Sequence, residues 1–398
     1  MTQTASESSN YMKNILTLNP ISNRIYDHLD TNDYAVANDA AQPVGILVRS
    51  ADMHSFDLPE SVLAVARAGA GTNNIPCADY AKKGVVVFNT PGANANGVAE
   101  LVLASMLLSS RNLLDATAWV STLKGNGADV PKMAEKGKKA FVGNEIKGKK
   151  LGVIGLGAIG GIVANNACAL GMNVSGFDTY LSVDAAWRLS RSVNRAANQD
   201  QIFAESDFIT MHVPLVDATR KMINAQTIAA MKDGVTILNF SRGELVDTEA
   251  IIAALESGKV KRYITDFACD ELIGVKNAIL IPHLGASTPE SEDNCAEMAA
   301  KELNDYIRYG TIVNSVNMPA CELAYTGKVR LCIFHNNVAN VIGQITEIIA
   351  ADKINISDMI NKSRGDIAYT IIDIDSDASD KLLADLNGIS DIIRIRVI

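Results

Sequence analysis

From Met12 onward, short runs of consecutive apolar residues such as NILTL, VGILV and GVVVF alternate with longer stretches of helical character. Such runs suit strands buried on both faces, and their alternation with helices is the pattern of parallel α/β architecture. A first unit of this kind covers roughly the first hundred residues. Residues 97–111 then place apolar side chains at helical spacing and lead away from that unit, as an interdomain helix would. The basic, glycine-containing stretch from Lys124 to Lys150 reads as a solvated surface loop, with a subunit-contact arm as the alternative.

A second α/β unit opens on the strand LGVIG at Leu151 and runs to about His283, with further strands at NVSGFD, FITMHV, VTILNF, YITDF and AILIP. Strands separated by helices in this way suit a doubly wound sheet. Residues 289–309 have the pattern of a long packing helix that returns to the first unit, and MPACELAYTG beyond Asn317 reads as a linker. From Val329 the order strand, helix, two strands, helix, strand is the ferredoxin-like βαββαβ arrangement. The expected fold class is therefore α/β, with two doubly wound parallel sheets and a small C-terminal module.

Composition narrows the function. At 398 residues the chain exceeds a single core. Its apolar fraction of 48% and charged fraction of 20% are those of an ordinary soluble protein. A formal charge of −9 repels nucleic-acid backbones and anionic lipid, so neither is expected as a partner, and an anionic substrate must meet local positive charge. The six cysteines show no paired or metal-ligand spacing, so free thiols and no metal are expected. The segment MTQTASESSN lacks the basic start and apolar run of a signal peptide and reads as a disordered lead; no apolar run is long enough to span a bilayer. A cytoplasmic location is the expectation.

Gly155, Gly157 and Gly160 form GxGxxG between the strand LGVIG and a helix rich in Ala and Val, with Ala158 and Ile159 between the last two. In that context the glycines serve a tight turn, close approach of backbone to a pyrophosphate, and close helix packing, while the helix N-terminus offers unpaired amides. Asp178 ends the next strand, where an acid accepts bonds from the adenosine ribose and repels a 2′-phosphate. NAD is the expected cofactor.

Hydride transfer from a hydroxy acid needs a base for the hydroxyl proton and a cation for the carboxylate. Arg242 follows the strand TILNF, Asp266 and Glu271 follow YITDF, and His283 follows ILIP, so each stands near a strand's C-terminal end, where open α/β sheets bind ligands. A carboxylate beside a histidine orients the ring and stabilises imidazolium, and Glu271 with His283 is the expected dyad. For His28, His54 and His212 a structural role is expected.

On these residues the chain resembles the D-isomer-specific 2-hydroxyacid dehydrogenases over nearly its whole length. The resemblance implies Gly155, Gly157, Gly160 and Asp178 for NAD, Pro214 of HVPL beside the adenine, and Asp266 near the nicotinamide amide. It also implies Arg242, Glu271 and His283 as the catalytic set, and Arg49, Arg67, Ala70 and Gly71 as substrate-binding positions. Two arginines beyond Arg242 favour a phosphate as well as a carboxylate, which points to NAD-dependent oxidation of D-3-phosphoglycerate. Glycerate, lactate and 4-phosphoerythronate are the alternatives within the class, and a non-catalytic NAD-sensing protein is the alternative outside it. The implied domains are 1–97 with 285–320 for substrate, 98–284 for NAD and 328–398 for regulation. The last resembles an ACT domain, with His335, Asn337 and Asn355 at positions that bind an L-serine effector. The basic arm and this module suggest a homodimer or homotetramer. Departures are SRGE for the usual ARGG, Glu271 followed by Leu272 rather than proline, and VANV for a Pro-Gly turn, so that Asn340 must supply a positive φ.

Overall fold

The computed structural model describes residues 12–398; the N-terminal lead lies outside them. The chain divides into two compact units, one comprising residues up to Ala93 together with Glu292–Ile398, the other Asn94–Ser291. The limits expected from the sequence are 97 and 285, with 328–398 as a third domain, whereas here that segment belongs to the first unit.

In the first unit, strands β1 (Lys13–Thr17), β2 (Tyr34–Ala37), β3 (Gly45–Val48), β4 (Ala64–Arg67) and β5 (Val86–Phe88) form a parallel sheet in the order β2-β1-β3-β4-β5. The order reverses beside β1, as in a doubly wound sheet. Helix Pro289–Tyr309 packs Ala296, Ala299, Ala300 and Leu303 against the core containing Ile15, Leu47 and Ala66. Its small residues let the helix axis approach the sheet closely, which is why an alanine-rich stripe serves here.

Glu302 is the exception on that helix. It is 7% exposed; one carboxyl oxygen accepts from the Asn314 side chain at 2.7 Å and the other has no partner. Burial pushes this carboxyl up to about 8. A carboxyl raised in the folded state contributes stability that is fully present below its unfolded value and is lost as pH rises towards the folded one. Thermal melts at about pH 5 and about pH 8 should therefore show wild type losing on the order of 4 kcal/mol that Glu302→Gln keeps. Equal pH dependence in the two proteins would sink this account.

The second unit holds β6 (Lys150–Ile154), β7 (Asn173–Phe177), β8 (Asn194–Arg195), β9 (Phe208–Met211), β10 (Val235–Asn239), β11 (Val260–Thr265) and β12 (Ala278–Leu280). All pair in parallel in the order β12-β11-β10-β9-β6-β7-β8, so the chain switches direction between β6 and β9. The six strands expected are present; β8, only two residues long, is the seventh. The unit opens on helix Ala95–Arg111, which packs on helix Ala158–Ala169. The stretch read as a loop is largely helical, with a helix at Val130–Gly137 and a 3-10 turn at Lys138–Phe141. Trp119 organises it: its ring lies 5.3 Å from that of Phe141, a long-range contact that charge patterning does not reveal.

The C-terminal module has strands β13 (Val329–Asn336), β14 (Ile356–Arg364), β15 (Ile367–Ile374) and β16 (Ile392–Val397), antiparallel in the order β14-β15-β13-β16, with helices Val341–Ala351 and Asp380–Asn387. Asn340 takes φ 70°, ψ 0° at the start of the first helix, as the departure from glycine required. Both faces of this sheet are covered. Leu331, Ile333 and Ile372 pack under the two helices, while Cys332, Phe334 and Tyr369, on the opposite face by the strand period of two, join the core around Leu303 and Tyr306. The stretch read as a linker is part of that contact, since Met318 and Cys321 are buried in it.

Candidate active site

The glycine loop lies at the switch point of the second sheet. Gly155 has φ +90°, and a Cβ there would stand 2.4 Å from the His212 carbonyl oxygen. At Gly160 an added Cβ would lie 1.9 Å from the Gly155 oxygen, so the helix meets its own strand at a distance no side chain permits. Around Gly157 nothing lies within 4 Å, which leaves the backbone open to a ligand.

The neighbouring helices of this sheet are capped by Ser182, Asn198, Asn224 and Asp247, whose side chains accept first-turn amides. Helix Ala158–Ala169 begins at Gly157 with no side-chain cap. Its exposed start at Ala158, followed by half-buried Ile159, therefore presents amides that an anion can take.

Asp178 follows β7, and its two oxygens accept from the amides of Leu156 and Tyr180, each at 2.8 Å. These bonds tie the acid to the glycine loop. It lines a cavity of about 370 Å³ with Leu156, Leu181, Leu189, Val193 and Arg195. An apolar wall beside an acid suits an adenosine. Arg195, which sequence reasoning passed over, reaches this cavity because β8 pairs with β7. Pro214 lies outside that lining, on the loop after β9, where its carbonyl accepts from Thr219 at 2.7 Å.

Two of the expected catalytic residues, Arg242 and His283, lie at neighbouring strand ends with Asp266, expected beside the nicotinamide amide. Arg242 follows β10; its main-chain oxygen accepts from Asn239 at 2.8 Å, and its side chain is exposed. Asp266 follows β11 and is 3% exposed, with one oxygen accepting from the Gly285 amide at 3.3 Å and the other unpartnered. Burial pushes its carboxyl up, while His283 and Arg242 act in the opposite direction through their charge. His283 donates its amide to the Asp266 carbonyl at 3.0 Å, holds φ at 26°, and sets its ring 4.9 Å from that of Phe267. A positive φ is costly for a bulky residue and is held here by those contacts.

The expected Glu271–His283 dyad is not formed: no ion pair joins them among the described residues. Glu271 sits in the exposed 3-10 turn Asp270–Leu272, pinned by the burial of Leu272. Its own amide and the Cys269 thiol hold its carboxylate below the usual range. It lines a different cavity, of about 600 Å³, with Arg220, Lys221, Glu249, Phe267 and Cys269. Asp266 meets His283 through its main-chain carbonyl, and no side-chain hydrogen bond joins the two among the described residues.

In the first unit, β4 ends on half-buried Arg67, which donates Nε to the Arg49 carbonyl at 3.0 Å. The Arg49 guanidinium pairs with Glu292 at 2.5 Å. Ala70 is exposed and gives its carbonyl to Asn89 at 2.6 Å, with Gly71 next to it. In the C-terminal module, Asn337 and Asn355 are exposed, but His335 is 2% exposed and its ring meets the Thr370 hydroxyl and the Asn336 carbonyl. The other histidines pair within the fold: His28 with Glu297, His54 with Asp52 and His212 with Thr210. Burial takes His212 down to about 4.

Residues 103–285 match the family model of the D-isomer specific 2-hydroxyacid dehydrogenase, NAD binding domain. The chain is 34% identical to D-3-phosphoglycerate dehydrogenase 1 of Saccharomyces cerevisiae over 82% of its own length and 72% of the yeast protein. It is also 34% identical to D-3-phosphoglycerate dehydrogenase of Methanocaldococcus jannaschii, over 76% of this chain but only 57% of that one. The chain thus spans little more than half the length of some of the relatives it matches. Among solved structures, NAD+-bound 3-phosphoglycerate dehydrogenase of Entamoeba histolytica aligns with a TM-score of 0.60 and 26% identity, covering 77% of this chain and 99% of that one. The chain belongs to the D-isomer specific 2-hydroxyacid dehydrogenase family, and its second unit is that family's NAD-binding domain.

Proposed function

We propose that this chain oxidises D-3-phosphoglycerate to 3-phosphohydroxypyruvate with NAD, the first step towards L-serine. The observation that carries the reading is the convergence of Arg242, Asp266 and His283 at strand ends of the sheet that bears the uncapped glycine-loop helix. NAD, when bound, accepts the hydride. His283 takes the hydroxyl proton, and the Arg242 fork holds the carboxylate and polarises the forming carbonyl. Two acids are candidates for the imidazole: Asp266, whose main-chain carbonyl accepts the His283 amide, and Glu271, which family resemblance favours. Ala70 and Gly71 offer amides to the carboxylate, and Arg49 and Arg67 carry the charge that a phosphate needs.

Regulation by L-serine would use the exposed Asn337 and Asn355, with His335 supporting Thr370 from within. A homodimer or homotetramer fits the exposed Leu113, Leu114, Val120, Met133 and Val142, clustered on one stretch of the second unit. Six free cysteines fit a reducing, cytoplasmic setting. Among the described residues no single helix is long and apolar enough to cross a membrane, although the bent pair Ala95–Arg111 and Leu113–Ser121 passes by length and composition.

The test is NADH formation with D-3-phosphoglycerate, D-glycerate, D-lactate and 4-phosphoerythronate, with L-serine added or withheld. D-3-phosphoglycerate should give the highest kcat/KM, and serine should lower it. A preference for an unphosphorylated acid would move the assignment within the family. Absence of NADH formation with every acid would favour a nucleotide-sensing protein, and indifference to serine would remove the proposed effector.

A further inference from the structure

The C-terminal module touches the rest of the first unit through arginines that bind main-chain carbonyls. On β16, Arg394 and Arg396 share one face, two residues apart. Arg394 donates to the carbonyls of Val62 at 2.7 Å and Glu60 at 2.9 Å. Gly84 admits its stem, since a Cβ there would fall 2.8 Å from the Arg394 Cβ. Arg396 donates to the carbonyls of Tyr306 at 2.6 Å and Ile307 at 3.2 Å, with its guanidinium 4.4 Å from the centre of the Tyr306 ring. Arg330 of β13, fully buried and paired with Asp373, donates to the Tyr309 carbonyl at 2.8 Å.

Arg330 also donates to the carbonyls of Leu323 and Ala324, each at 2.9 Å; the other carbonyls lie on the approach to β4 and at the end of one helix. Glu60 and Val62 lead into β4, which ends on Arg67. Tyr306, Ile307 and Tyr309 lie in the last turn of helix Pro289–Tyr309, where the Tyr306 carbonyl also accepts the Gly310 amide at 2.9 Å and a cation is favoured by the dipole. The first turn of the same helix carries Glu292, which holds Arg49. A short strand and a helix roughly 30 Å long are stiff, so a displacement at one end is passed to the other.

We infer that the C-terminal module is a brace that positions Arg49 and Arg67, with Arg394 and Arg396 as its positioning residues. The inference rests on the proposed substrate role of those two arginines. Contacts to main-chain carbonyls fix where a backbone runs, whereas apolar packing alone tolerates slippage. A shift of β16 moves the approach to β4 and the end of the helix together. Its effect falls on substrate affinity, because the glycine loop and the Arg242, Asp266 and His283 cluster belong to the other unit.

The experiment compares the full-length wild type with Arg394→Met and Arg394→Lys. Hydrogen exchange is followed over residues 64–71 without ligand, beside KM and kcat for D-3-phosphoglycerate and the affinity for NADH. In Arg394→Met, amides of that segment should exchange about tenfold faster, as expected for loss of a charge-assisted pair of bonds. KM should rise by a similar factor, with kcat and NADH affinity within about twofold of wild type. The lysine variant, able to reach one carbonyl, should fall between the two proteins, and it carries the comparison if the methionine variant does not fold. Unchanged exchange over 64–71, or faster exchange with KM unmoved, overturns the brace. If wild type oxidises no hydroxy acid, the functional reading fails, while altered or unaltered exchange still decides the mechanical coupling.

Discussion

Replacement of His283 by asparagine is expected to lower kcat by about three orders of magnitude, within the range general acid–base catalysis supplies. Asparagine tolerates the positive φ that His283 adopts and keeps its amide bond to the Asp266 carbonyl, so the strand end should survive the change. What it cannot do is accept and return a proton near neutral pH. NADH affinity, read by fluorescence titration, should stay near wild type. A variant turning over at close to the wild-type rate would remove His283 from the reaction. Asp266→Asn and Glu271→Gln then separate the two carboxylates. If the arrangement seen here is the working one, loss of the Asp266 charge should cost kcat more than loss of the Glu271 charge. The reverse order would mean that the 270–272 turn swings Glu271 to the imidazole during turnover.

Substituting alanine for Gly160 should damage both folding and cofactor binding. The new methyl would stand 1.9 Å from the Gly155 carbonyl oxygen, so the helix must move off its strand or the loop must open. Either response displaces the first-turn amides that face the pyrophosphate. A loss of about a hundredfold or more in NADH affinity is expected, with stability lower by about 2 kcal/mol as in other overpacked sites. Gly157→Ala provides the contrast. Its added methyl meets nothing within 4 Å and its φ is −68°, so it should melt like wild type. That methyl nevertheless occupies the approach a phosphate needs, so NADH binding should still weaken. Calorimetric melts and NADH titrations on both variants make the check. A Gly160→Ala protein that binds and melts like wild type would show that this close approach is not required.

Much of the second unit was legible in the chain because its signals are local. The apolar run LGVIG, the glycine spacing that follows and the acid at the end of NVSGFD all act through the backbone of one β-α-β segment. Arg242, Asp266 and His283 could be placed at strand ends for the same reason. Side-chain direction is not local in this sense. The burial of Leu272 turns Glu271 towards Cys269 and away from a pairing with His283, and no spacing rule contains that outcome. Arg195 reaches the Asp178 cavity only because a two-residue strand pairs with β7.

By itself, then, the sequence determined the order of strands and helices, the dinucleotide loop and the strand-end positions of the reacting groups, since each follows from a periodicity or a backbone requirement spanning a few residues. The tertiary structure alone decided that Glu271 meets Cys269 rather than pairing with His283, how the 127–141 segment folds against Trp119, and that Arg394 and Arg396 would meet carbonyls hundreds and tens of positions away in the chain. Burying a guanidinium requires acceptors in a fixed arrangement, and those acceptors exist only once two sheets and a helix have packed.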